Sequence, residues 1–144
     1  PVSRIELYLP HTTHTMNILI LEDDPLRMIA FRQRLDGHII THTEVAAEAI
    51  ELLKKNRYDL ILLDHDLGGK TYVDHPNQQE DCGMRVAEFF SIRPEQVRPH
   101  GPIVVHSLNG PAAQQMVELI GEAIWCPFVW QREIWAKYIN IPVT

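Results

Sequence analysis

The chain has 144 residues, enough for one domain with one hydrophobic core. Hydrophobic residues make up 45% and charged residues 22%, the balance of a globular protein rather than a disordered or fibrous one. A formal net charge of -6 leaves no basic surplus to meet a phosphate backbone or an anionic bilayer, which argues against a general nucleic-acid or membrane binder. No apolar run approaches a spanning helix, and the first residues lack the apolar core of a secretory signal. Two cysteines, Cys82 and Cys126, make neither a disulfide framework nor a paired metal motif, so a reducing cytoplasm is the expected compartment.

Residues 1–15 read as an appendage. They are rich in Thr and His, contain Pro10, and stop where a strand pattern begins at Met16, the expected native start. The alternative is an edge strand or packing arm at Ile5-Glu6-Leu7-Tyr8-Leu9. Either way, His11 and His14 are poor ligand candidates, and the domain proper is expected over 16–144.

From Met16 onward, short strand runs alternate with helical runs, the pattern of a parallel α/β sheet. The first strand falls at about Asn17–Leu21. Asp24-Pro25 then opens a helix, with Asp as cap and Pro in the first turn, expected to run to Asp36 and stop at Gly37. A second strand is expected over His38–Thr41. Thr43 reads as the cap of a helix whose apolar stripe is Val45, Ala46, Ala49, Ile50 and Leu53. Asp59–Leu63 reads as a central buried strand because its interior is wholly apolar. The polar stretch 68–81, with Gly68-Gly69 and Pro76, reads as a long functional loop. A helix over Gly83–Ser91 should bury Val86, Phe89 and Phe90, and Pro94 and Pro99 break the chain before a strand at Pro102–His106. A helix over Pro111–Ile120 should turn Ala112, Met116, Leu119 and Ile120 inward. A short strand at Ala123–Trp125 and a helix over Val129–Tyr138, with Ile134, Trp135, Tyr138 and Ile139 on its apolar side, complete the pattern. Such alternation predicts a doubly wound five-stranded parallel sheet of order 2-1-3-4-5, a flavodoxin-like three-layer sandwich with its crevice beside strands one and three.

In an open parallel sheet the carboxyl ends of the strands share one edge, and ligands bind there. That edge collects Glu22-Asp23-Asp24, Asp64-His65-Asp66 and His106-Ser107-Leu108-Asn109. Gathered carboxylates repel one another unless a cation sits among them. The pattern therefore predicts a divalent ion on Glu22, Asp23, Asp64 and Asp66, and a phosphate through that ion. Asp24 reads chiefly as a helix cap. His65 and His106 widen the metal choice toward manganese, iron or zinc, or serve as general acid and base. Successive strand residues face opposite ways, so whether His65 points with Asp64 stays open. Ser107 and Asn109 are candidates to donate to phosphate oxygens, although Asn109-Gly110-Pro111 equally reads as a turn with a helix start. Lys70, Tyr72 and His75 are candidates to cover a substrate. Cys126 reads as a small buried residue, and Trp125, Trp130 and Trp135 as core or interface residues with no basic groove around them.

With these residues in view, the chain from Met16 to about Ile141 resembles the receiver domain of bacterial response regulators. Leu21-Glu22-Asp23-Asp24-Pro25 resembles the receiver's acidic stretch, with Glu22 and Asp23 matching the pair that holds magnesium. Asp64 matches the phosphate-accepting aspartate, and Asp66 lies where receivers offer a backbone carbonyl to the metal. Ser107 matches the hydroxyl residue that contacts the phosphoryl group, and Asp81-Cys82-Gly83 resembles the turn that opens the third helix. Two departures stand out. Cys126-Pro127 stands where receivers carry a lysine before a proline, with Lys70 a candidate substitute, and the stretch from Asp64 to Gly83 is longer than in a standard receiver. Leu63-Asp64-His65-Asp66-Leu67-Gly68 and Val105-His106-Ser107-Leu108-Asn109 resemble a divergent receiver branch proposed to process cyclic phosphates.

The resemblance implies a divalent cofactor, Mg2+ or Mn2+, and three candidate functions. The first is a metal-dependent phosphoesterase acting on a phosphodiester or cyclic phosphate, with Asp64, His65, His106, Ser107 and Asn109 as catalytic candidates. The second is an atypical receiver phosphorylated on Asp64 by a phosphodonor protein in phosphorelay signalling. The third is a pseudo-receiver that only binds a partner.

Overall fold

The computed structural model describes residues 15–67 and 82–128. The expected appendage up to residue 14, the expected loop 68–81 with Lys70, Tyr72 and His75, and the helix expected over Val129–Tyr138 with Trp130 and Trp135 lie outside the described residues. The apolar runs become strands β1 (Asn17–Leu21), β2 (Ile39–Thr43), β3 (Leu60–Leu63), β4 (Ile103–Val105) and β5 (Ala123–Trp125). They form one five-stranded sheet in the order β2-β1-β3-β4-β5, every pair parallel, as the alternation of elements predicts. Helices α1 (Pro25–Arg34), α2 (Ala46–Lys55), α3 (Gly83–Ile92) and α4 (Gly110–Ile120) make the crossovers, with a 3-10 turn at Pro94–Gln96 before β4. No described helix is long and apolar enough to cross a membrane.

Each strand divides its side chains between two cores. Ile18, Ile20, Leu60, Leu62 and Val104 pack with Met28, Ala30, Phe31 and Leu35 of the α1 region on one face. Leu19, Leu21, Ile61, Leu63, Ile103 and Val105 pack with Ala49 and Leu53 of α2, Val86, Ala87 and Phe90 of α3, and Ala113 and Met116 of α4 on the other. The period of two along a strand produces this division. Burial of each such Leu or Ile contributes roughly 1.5–3 kcal/mol, so the sheet's centre is the rigid part of the molecule.

Several element edges differ from the sequence reading. Helix α1 stops at Arg34, and Leu35 turns into the core at 1% exposure instead of Asp36 extending the helix. Strand β2 lies later than expected because its pairing with β1 runs from Asn17↔Ile39 to Leu21↔Thr43. Val45 is the residue before α2, 41% exposed and outside the apolar stripe. Thr43 accepts the Val45 N–H at 3.1 Å, so it closes a local turn before α2 without capping the helix itself. In α4, Ala113 is buried and Leu119 is 39% exposed, because the helix rotates its small residues against the sheet.

Candidate functional site: the carboxyl edge of the sheet

The register explains the site. Leu21 pairs with Leu63, and Leu63 with Val105, so Glu22, Asp64 and His106 are each the next residue on one row. The ladder continues through them: Asp64 N–H donates to the Leu21 carbonyl at 3.0 Å and His106 N–H to the Leu63 carbonyl at 2.9 Å. All three have the parity of Ile20, Leu62 and Val104, so they point to the α1 face. There Glu22 is wholly buried, Asp64 is 3% exposed and His106 1% exposed. One ligand atom from each lies within 4.8 Å of the others, a set suited to a metal ion.

A guanidinium stands among these groups. Arg27 of α1 places Nε 2.7 Å from Glu22 Oε1 and Nη2 3.0 Å from Glu22 Oε2, while Nη2 lies 3.3 Å from Asp64 Oδ2. Glu22 also accepts the N–H groups of Asp23 and Asp24 at 2.9 and 3.0 Å, and His106 Nε2 lies 3.0 Å from Oε1. Burial alone would raise the Glu22 pKa, but hydrogen bonds from His106 and Arg27 outweigh it and hold this carboxyl well below its usual range. An ionised Glu22 only accepts, so His106 Nε2 carries the proton. Burial lowers the His106 pKa, which keeps the ring neutral. Its Nδ1 is buried with no partner among the described residues, and its ring stands edge-on to Phe31 at 5.0 Å. His106 is thus a buried donor that fixes Glu22.

Asp64 is less well compensated. Burial and the nearby Glu22 charge push it up to about 7, against the pull of the His65 N–H and of Arg27. Two buried carboxylates share one guanidinium, and the deficit of positive charge falls on Asp64. More positive charge facing these carboxylates would be favoured, so the donor set fits a hard divalent ion.

The remaining candidates sit around this centre. Asp23 is half-buried, and among the described residues neither it nor Asp66 joins the close group. Asp24 caps α1, its Oδ1 accepting the Leu26 and Arg27 N–H groups at 2.8 and 3.4 Å. His65 and Asp66 turn away from Asp64: His65 Nδ1 lies 2.6 Å from Asp66 Oδ1, and Asp66 is 67% exposed. His65 also hydrogen-bonds the Cys82 thiol. That bond raises the imidazole most, burial opposes it and Asp66 adds to it, leaving His65 pushed up to about 9. The same bond lowers the Cys82 thiol. Gly83 makes this arrangement possible: its N–H donates to the His65 carbonyl at 2.9 Å, and a Cβ there would sit 1.8 Å from the Asp64 carbonyl oxygen. Ser107 is buried, its Oγ accepting the Asn109 N–H at 3.0 Å, which leaves its own proton for an acceptor. Asn109 caps α4 through Oδ1, 3.3 Å from the Ala112 N–H, so its amide protons remain for donation. Cys126 is buried, as its small size predicts.

Arg27 was not among the sequence candidates, yet a signal was present. Asp24-Pro25 places Arg27 in the first turn of α1, where the helix dipole disfavours a cation, and no acidic residue shares that turn. A cation there needs carboxylates in front of it, and Glu22 and Asp64 supply them.

Residues 17–122 match the family model described as the cyclic-phosphate processing receiver domain. No match is found among curated proteins. Among solved structures, the phosphorylated cyanobacterial phytochrome response regulator RcpA is similar at 19% identity and a TM-score of 0.65, over 89% of this chain and 91% of that one. The chemotaxis response regulator CheY4 of Vibrio cholerae is 16% identical with a TM-score of 0.65, over 88% of this chain and 98% of that one. A response regulator from Burkholderia pseudomallei, with a phosphorylated aspartic acid, calcium ion and citrate, is 19% identical with a TM-score of 0.56, over 85% of this chain and 65% of that one. At such identities the likeness is one of fold, the CheY-like receiver fold. The match over residues 17–122, most of the chain, shows that it belongs to the cyclic-phosphate processing receiver family.

Proposed function

We propose that this receiver-fold chain is a metal-dependent phosphoesterase acting on a phosphodiester or cyclic phosphate. The supporting observation is the buried row of Glu22, Asp64 and His106, whose ligand atoms lie within 4.8 Å of one another. Mg2+ or Mn2+ would be held by Glu22 and Asp64, with Asp23 and the Asp66 carbonyl at the rim. Such an ion supplies Lewis-acid polarisation of a phosphoryl oxygen and a more acidic water. The chain's own residues do the rest. His106 orients Glu22 through Nε2. Ser107 offers its hydroxyl proton and Asn109 its amide protons to phosphate oxygens, and fixed donors of this kind are most of what phosphoryl chemistry asks of a protein.

The test is turnover of bis(p-nitrophenyl) phosphate and of a 2′,3′-cyclic nucleotide with Mn2+. Many turnovers per molecule are expected, abolished in Asp64→Ala and Glu22→Gln variants that keep the wild-type circular dichroism. Turnover that survives Asp64→Ala would remove this reading. One observation favours a second reading, an atypical receiver phosphorylated on Asp64: this aspartate directly follows β3 in a fold whose Burkholderia counterpart carries a phosphorylated aspartic acid with calcium. A small acyl phosphate with Mg2+ would then leave a stable, acid-labile adduct on Asp64, seen by intact mass, without turnover.

A further inference from the structure

Arg27 contacts three carboxylates along a path from the core to the rim. Glu22 is wholly buried, Asp64 Oδ2 lies 3.3 Å from Nη2, and Asp24 Oδ2, on a side chain 36% exposed, lies 3.5 Å from Nη1. The Arg27 side chain is itself 23% exposed, so it reaches the mouth of the pocket. Its backbone is held by the Asp24 cap at 3.4 Å, which leaves the side chain as the part able to move. Arg27 is the charged partner of both Glu22 and Asp64, while the neutral His106 donates to Glu22. On β5's side of the pocket, the residue after the strand is the uncharged Cys126.

Two physical facts bear on this arrangement. A guanidinium and a divalent ion repel, so they do not share the same two buried carboxylates at contact distance. A guanidinium fork that grips a carboxylate through Nε and Nη2 grips a phosphate through the same two donors. We propose that Arg27 is the phosphate-binding cation of this pocket, held on Glu22 and Asp64 as an internal counter-ion and displaced toward the rim when a divalent ion takes those carboxylates. The assignment rests on the metal reading above and deepens it, because it names the group that receives the substrate's phosphate. It also explains how buried acids persist in the metal-free fold: the cation that later meets the substrate first neutralises the site.

The test uses Arg27→Met, which keeps the chain length without charge, and Arg27→Lys, which keeps the charge without the fork. Mn2+ affinity is measured by electron paramagnetic resonance of free Mn2+ in phosphate-free buffer. Inorganic phosphate is then titrated calorimetrically into the Mn2+-saturated proteins. Arg27→Met is expected to bind Mn2+ about tenfold tighter than wild type and phosphate about tenfold more weakly, the scale of one charge-assisted contact, with Arg27→Lys between. Wild-type Mn2+ binding together with unchanged or weaker Mn2+ binding by Arg27→Met would reduce Arg27 to a structural counter-ion and leave the metal reading standing. Tighter Mn2+ with unchanged phosphate affinity would overturn the phosphate role. Mn2+ binding by neither protein would overturn both the metal reading and this one. If Arg27→Met does not fold by circular dichroism, Arg27→Lys carries the comparison, with wild-type affinities as the overturning result.

Discussion

The tripeptide Asp64-His65-Asp66 feeds two clusters that obey different rules. Asp64 turns into the α1 face and joins Glu22, Arg27 and His106 in a pocket where the acids are almost wholly buried. His65 and Asp66 turn out to the rim, where His65 meets Cys82 and Asp66 is 67% exposed. In the pocket each charge must be matched by a specific neighbour, since water is not there to do it. At the rim solvent shares the task, and the same residue types act as a proton-holding chain more than as a structural clamp. Sequence adjacency therefore says little about shared chemistry: Asp64 continues the β3 ladder into the pocket, whereas His65 and Asp66 leave that ladder for the rim.

The sharpest contrast comes from deletion in the pocket. Glu22→Ala removes the closest of the three carboxylates that hold Arg27 and leaves the His106 Nε2–H without its acceptor, so urea unfolding should show a loss of ~3–5 kcal/mol. A loss under ~1 kcal/mol would mean that the pocket is solvated and the contrast with the rim is unfounded.

A second effect is the pH dependence of the metal-free protein. Asp64 rests at about 7 in the fold against an ordinary 3.8, so between those values the folded chain binds a proton that the unfolded chain has released. Stability then falls as pH rises through that window, on the order of 2–4 kcal/mol in total. Glu22, held low, acts in the opposite sense, and its contribution is lost only as pH falls below its ordinary 4.5. Thermal melts in chelator between pH 5 and pH 7 should show the decline, and Asp64→Asn or saturating Mn2+ should flatten it. Burial lowers His106 and His38, which act in the opposite sense over the same window, so the comparison with Asp64→Asn decides: a profile that this substitution leaves unchanged would contradict the charge deficit assigned to Asp64.

The rim should give the smallest effect on stability and the clearest one on reactivity. Asp66→Ala is expected to change stability by no more than ~0.5 kcal/mol. Iodoacetamide should label Cys82 well before Cys126, whose buried thiol is pushed up to about 11. His65→Gln should slow Cys82 labelling in peptide mass maps. Equal rates at both cysteines would show that His65 does not act on the thiol.

Much of this was legible in the chain. The runs Ile18-Leu19-Ile20-Leu21, Leu60-Ile61-Leu62-Leu63 and Ile103-Val104-Val105 name three central strands, because only a strand buried on both faces is apolar at every position. Asp24-Pro25 marks the start of α1, and the sheet order follows from the alternation of elements. Less legible were the helix faces. Val45 and Leu119 are apolar at helical spacing, yet both lie exposed: Val45 falls just before α2 begins, and the rotation of α4 is set by what packs against it.

By itself, the sequence determined the strands, their order and the row of acids at the sheet's carboxyl edge, because burial and period-two alternation leave a central strand few alternatives. Tertiary structure alone decided which of those acids meet. Pairing register put Glu22, Asp64 and His106 on one row, and the docking of α1 carried Arg27 into their midst. Register and helix docking are contacts between distant segments, so the local pattern puts a cation at the start of α1 without saying which carboxylates it meets.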